Sequence, residues 1–93
     1  YVVEDLYQNA DELFNEAYEI FAKNNNINGM ISVITGFIGS KCMQHKYAEA
    51  IQWGVKAMEL AEEANNIELL ITIKGNLAGV YIVIEEFLSV NFI

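Results

Sequence analysis

Apolar residues in the first quarter of the chain return every three or four positions, in three rows at a seven-residue spacing. Val3, Ala10 and Ala17 form one row, Leu6, Leu13 and Ile20 a second, and Tyr7, Phe14 and Phe21 a third. Three adjacent rows predict a helix from about Val2 to Lys23 with a broad buried face. Glu4, Asp5, Asp11, Glu12 and Glu19 fall on the opposite side and read as a solvated face. Asn24-Asn25-Asn26 should end this helix, because asparagine tolerates the left-handed conformation at a helix C-terminus and can cap the helix that follows. A second helix, about Ile27 to Gln44, is apolar nearly all round, the pattern of a helix buried on most sides. Gly29, Gly36 and Gly39 lie inside it. Each costs up to about 1 kcal/mol relative to alanine, and tight packing against another helix, or against a ligand, would justify them. After a short His45-Lys46 turn, a third helix from about Tyr47 to Ala64 buries Tyr47, Ala50, Ile51, Gly54, Ala57, Met58 and Ala61. Asn65-Asn66 closes it. A fourth helix starts near Ile67 and runs to about Glu85, or through it, since no glycine, proline or asparagine marks a turn there.

These helices repeat at a spacing of 40 residues. Tyr7-Gln8-Asn9-Ala10, Tyr47-Ala48-Glu49-Ala50 and Phe87-Leu88-Ser89-Val90 correspond. So do Ala17 and Ala57, Ile20 and Leu60, Asn25-Asn26-Ile27 and Asn65-Asn66-Ile67, Ile31 and Ile71, Phe37 and Leu77, and Gly39 and Gly79. A period of this size in an apolar helical pattern predicts an all-α fold of about four helices, in antiparallel pairs stacked as an α-solenoid. Residues 1–93 make a single domain, read as a piece of a longer solenoid because the register opens and closes partway through a pair. A solenoid end normally carries a polar cap. Phe87, Leu88, Val90, Phe92 and Ile93 supply none, so pairing with another copy through uncapped helix ends is one expected behaviour.

Charge narrows the partners. Thirteen acidic residues stand against five lysines, with no arginine and a formal net charge of −8. That balance argues against nucleic acid and against anionic membrane surfaces, and a neutral or basic partner is tolerated better. Cys42 is the sole cysteine, which precludes an intrachain disulfide and suits a reducing, cytoplasmic setting. The acidic start YVVEDLYQNADE lacks the basic region of a signal peptide, and Lys41, Lys74 and Glu85 are expected to cut the apolar runs short of membrane length. Catalytic signatures are lacking. His45 sits in a predicted turn, one histidine and one cysteine cannot build a zinc site, Glu62-Glu63 and Glu85-Glu86 diverge on their helices, and Gly36 and Gly39 lack a P-loop's lysine and hydroxyl residue. No enzyme, cofactor or metal is expected.

The segment KYAEAIQWGVKAMELAEEANN resembles the second helix of a tetratricopeptide repeat, and GNLAGVY resembles the middle of a first helix. Asn76, Leu77, Ala78 and Tyr81 match the first-helix pattern; Tyr47, Ala50 and Ala57 match the second-helix pattern. The chain departs from that family in its longer period, in asparagine pairs where the family has proline, and at Ile38 and Lys41, where a small residue and an aromatic are usual. Long, proline-poor repeats with an Asn-Asn-Ile-Glu-Leu-Leu linkage are similar to those of cytosolic peptide-pheromone receptors of Gram-positive bacteria. The resemblance implies a concave groove lined by first helices, at Ser32, Thr35, Gly36, Gly39, Cys42 and Met43 in one copy and Thr72, Gly75, Asn76, Gly79, Ile82 and Val83 in the other. The groove asparagine, Asn76, would bond both N–H and C=O of an extended peptide, or else be satisfied by a neighbouring turn. The lysines that grip a C-terminal carboxylate in chaperone-binding members are absent from these positions.

Three functions follow as expectations. The first is a protein- or peptide-binding scaffold, as in the sensor part of a bacterial peptide-responsive regulator. The second is a self-assembly element. The third is a modulator of a response regulator whose working residues lie outside this segment.

Overall fold

The computed structural model describes residues 2–91, with side chains from residue 5 to residue 90; Phe92, Ile93 and the side chains of Val3 and Glu4 lie outside that set. It is all-helical among the described residues. Helices α1 (Val2–Lys23), α2 (Ile27–Met43), α3 (Tyr47–Glu63) and α4 (Ile67–Asn91) follow one another with three-residue connections.

All three connections have the same construction. The N–H groups of Asn26, Lys46 and Asn66 reach back five residues to the carbonyls of Phe21, Lys41 and Ala61, at 2.9, 2.8 and 3.0 Å. Those of Asn25, His45 and Asn65 reach back three, to Ala22, Cys42 and Glu62. This pairing needs a left-handed residue between helix and exit, and Asn25, His45 and Asn65 supply it with φ of 52°, 59° and 53°. The next residue then opens the following helix. The Asn26 side chain accepts the Gly29 N–H at 2.9 Å and the Asn66 side chain accepts the Leu69 N–H at 3.0 Å, whereas Lys46 makes no such bond. The fourth position in this series, Glu85, is not a residue that favours the left-handed region, and α4 runs straight through it.

Each helix therefore folds back on its predecessor, and α2 also touches α4. The Cα atoms occupy a slab of 46 × 31 × 14 Å. Ile31, Ile34 and Ile38 of α2 meet Ala50, Ala57, Leu60 and Ala61 of α3 and Ile73, Leu77 and Val80 of α4 in one core. An aromatic ladder ties in α1. Phe14 packs on Phe37 (ring centroids 5.3 Å apart), Phe37 stacks on Trp53 (4.5 Å), and Trp53 meets the edge of Tyr18 (5.6 Å). The repeat is visible in this packing as an exchange of volume. The Phe14 ring lies over Gly36, and at the equivalent place in the next copy Leu77 fills the space above Gly54.

Three expectations are corrected. Leu6, Leu13 and Ile20 are exposed, not buried, because α2 covers only the Tyr7–Phe14–Phe21 side of α1. Asp11 does not belong to a solvated face. Its carboxylate accepts from Ser40 Oγ (3.0 Å), Lys41 Nζ (2.9 Å) and Gln44 Nε2 (3.5 Å), and Lys41, itself buried, also lies 3.8 Å from Glu49. Finally, α4 is long and apolar enough, by length and composition, to cross a membrane despite Lys74 and Glu85, although one of its sides is packed on α3 through Ile73, Leu77 and Val80.

Asparagine at the left-handed position should be worth about 1 kcal/mol over alanine. Asn65→Ala is expected to lower urea-unfolding stability by that amount, while Asn65→Gly leaves it equal or higher.

Burial opposes ionisation of Asp11, but the hydrogen bonds from Lys41, Ser40 and Gln44 and the Lys41 charge outweigh it, so its carboxyl titrates below the ordinary 3.8. A depressed folded-state value adds stability above the unfolded pKa that is lost as pH falls through the folded one. Asp11→Asn should cost about 2 kcal/mol at pH 7, where it leaves the Lys41 charge short of its partner, and much less at pH 3. The joint change Asp11→Leu/Lys41→Met should be near neutral. Urea titrations at both pH values check this.

Candidate functional site

Residues Asn28, Ser32, Thr35, Gly39 and Met43 form one solvent-exposed row along α2, and Glu68, Thr72, Gly75, Gly79 and Val83 form the equivalent row along α4. The two helices are in contact, and their starts share a shallow open depression of about 250 Å³ lined by Asn28, Asn66, Glu68, Leu69 and Thr72. Of the positions the resemblance implied, Ser32, Thr35, Gly39, Met43, Thr72, Gly75, Gly79, Ile82 and Val83 are exposed and Cys42 and Asn76 are half-buried. Gly36 is half-buried, and a Cβ there would strike the Phe14 ring, so packing of α1 on α2 accounts for this glycine. Asn28, Asn66, Glu68 and Leu69 line the depression without being among the implied positions; the 40-residue pairing of Asn28 with Glu68 is the signal in the sequence that bears on them.

The rows present little side chain and much backbone. Ser32, Thr35 and Thr72 donate their hydroxyls back to the carbonyls of Asn28, Ile31 and Glu68, at 3.0, 3.1 and 3.1 Å, which leaves the oxygens able to accept. Asn76 makes no side-chain hydrogen bond among the described residues, so no neighbouring turn satisfies its amide. Glycine separates into two kinds. Gly29, Gly36 and Gly54 lie under Phe21, Phe14 and Leu77, which is the helix-packing role. At Gly39, Gly75 and Gly79 an added Cβ would meet nothing within 4 Å; packing within the fold does not account for them.

Titratable chemistry is sparse here. Burial pushes the Cys42 thiol up, keeping it protonated and poorly nucleophilic. His45 is exposed, with Nδ1 2.7 Å from the Tyr47 hydroxyl and its ring against Tyr47 and Phe87. Among the described residues no three His, Cys, Asp or Glu side chains converge as metal ligands would.

Replacing Gly39, Gly75 or Gly79 by alanine should raise stability by about 0.5–1 kcal/mol each, because the helix gains propensity and nothing is displaced. Gly36→Ala and Gly54→Ala should lower it, since Phe14 or Leu77 must move. Thermal unfolding of the five single variants checks the division.

No family model, curated protein or solved structure matches this chain.

Proposed function

We propose that the chain is a non-catalytic binding scaffold, a tetratricopeptide-like α-solenoid that takes an extended peptide or protein segment across the α2/α4 face. The observation that carries this reading is the set of three helix-interior glycines, Gly39, Gly75 and Gly79, on rows open to solvent. Each is a standing cost to helix stability, and a strand of partner backbone lying against the helices gives a reason for that cost. Asn76, with a free amide half-exposed beside the rows, supplies one donor and one acceptor to such a backbone. Glu68 in the depression and the net charge of −8 favour a neutral or basic segment.

Selection from a random-peptide display library against the folded chain tests this. The expected result is a set of neutral or basic peptides whose binding is abolished by Gly39→Arg/Gly79→Arg and weakened about fivefold by Asn76→Ala, roughly 1 kcal/mol, with helical circular dichroism unchanged. Failure to enrich any peptide, or equal binding to the arginine variant, would overturn it.

A further inference from the structure

Helix α3 returns the chain between α2 and α4, so those two helices run in the same direction, and they touch. Each α2 residue then stands level with its 40-residue counterpart on α4, and the exposed face has two unlike ends. Where the helices start, Asn28, Asn66, Glu68 and Thr72 line the open depression of about 250 Å³, with Leu69 the apolar member of its lining. Four turns further on, Met43 (66% exposed) and its counterpart Val83 (38%) present apolar side chains to solvent. Gly39 and Gly79 lie between the two ends.

Charge at the starting end is negative. A helix N-terminus carries about half a positive charge, which alone would favour an anion there. One N–H of each helix is already taken, however, by the Asn26 and Asn66 side chains, which accept from Gly29 and Leu69. Glu68 then sets a full carboxylate in the first turn of α4. The helices that end on this side of the molecule add Glu62 and Glu63 from α3 against Lys23 from α1. At the other end the flanking charges, Lys46 and its counterpart Glu86, are opposite in sign.

We infer that the segment bound across this face is graded along its length, with a lysine or arginine in the depression beside Glu68 and a large apolar side chain on Met43 and Val83. The inference rests on the scaffold reading and gives its partner a chemistry and a register. From Glu68 to Val83 the helix rises about 22 Å, which an extended chain covers in about seven residues. In the depression the Glu68 carboxylate meets the cationic head, and Asn28 and Asn66 offer amide oxygens to its N–H groups. Leu69 packs on the aliphatic stem. Met43, unbranched and polarisable, accommodates aliphatic and aromatic side chains alike. An acidic residue in the same place would meet Glu68 with like charge.

Selection from a phage-displayed library of random heptapeptides, followed by fluorescence anisotropy with one selected peptide, tests it. Lysine or arginine should be enriched about fivefold at one terminus of the selected sequences, and leucine, isoleucine, methionine or phenylalanine at the other. Replacing the basic residue of the chosen peptide by glutamate should weaken its binding about tenfold, and Glu68→Lys should recover that loss. Selection against Met43→Ser/Val83→Ser should lose the apolar preference and keep the basic one. All three positions are exposed, and helical circular dichroism verifies folding. Should Glu68→Lys lose helicity, Glu68→Gln should still abolish the basic preference. Peptides that enrich without a basic terminus, or that bind both Glu68 variants as they bind wild type, would overturn the inference and leave the scaffold reading standing. Acidic termini would overturn it in favour of an anion held by the helix starts. Enrichment of no peptide at all would remove the scaffold reading and this inference with it.

Discussion

One left-handed residue per connection sets the rest of this molecule. Asn25, His45 and Asn65 stand 20 residues apart, and each reverses the chain in three residues through the same two backbone hydrogen bonds. Helices α2 and α3 are consequently both 17 residues long. Equal lengths and identical reversals bring a given position of one helix opposite a fixed position of the next. The 40-residue identity of side chains is then also an identity of place. Where the left-handed residue is missing, at Glu85, the alternation stops and α4 becomes the longest helix.

Within that frame the side chains need only agree in volume, copy by copy. Phe14, Gly36 and Phe37 fill in one repeat what Gly54, Asn76 and Leu77 fill in the next. A large ring over glycine and a leucine over glycine are alternative solutions to the same inter-helix gap. Lys41 departs from this exchange. Its aliphatic stem is buried, unlike its exposed 40-residue counterpart Tyr81, and Asp11 and Glu49 lie beside the charge that this brings into the site.

Period and end signals made the helices legible. The bounds read from the sequence match those observed within a residue for α1, α2 and α3, and the continuation of α4 was the weaker of two readings because it depended on the absence of a signal. What the pattern could not reveal is which helix stands in front of which face. Leu6, Leu13 and Ile20 carry the periodicity of a buried row, but periodicity records only that a row is apolar and not that a neighbour covers it. Asp11 looked solvated because its partners, Ser40, Lys41 and Gln44, are about thirty residues away in sequence. Gly36 and Gly39 lie one turn apart in the same apolar run. Only the position of Phe14 distinguishes the packed glycine from the open one, and no local pattern contains it.

That distinction bears on what the fold is for. A domain of this size holds together by about 5–15 kcal/mol, and three open glycines in helix interiors forfeit up to roughly 3 kcal/mol of it. On the scaffold reading proposed above, a partner backbone lying on this surface gives that cost a reason. Small side chains there also carry a positive physical consequence. They leave open space above Gly39, Gly75 and Gly79, and the back-bonded Ser32, Thr35 and Thr72 hydroxyls keep their oxygens able to accept. The apolar outer faces of α1 (Leu6, Leu13, Ile20) and α4 (Ile71) are separate from these rows.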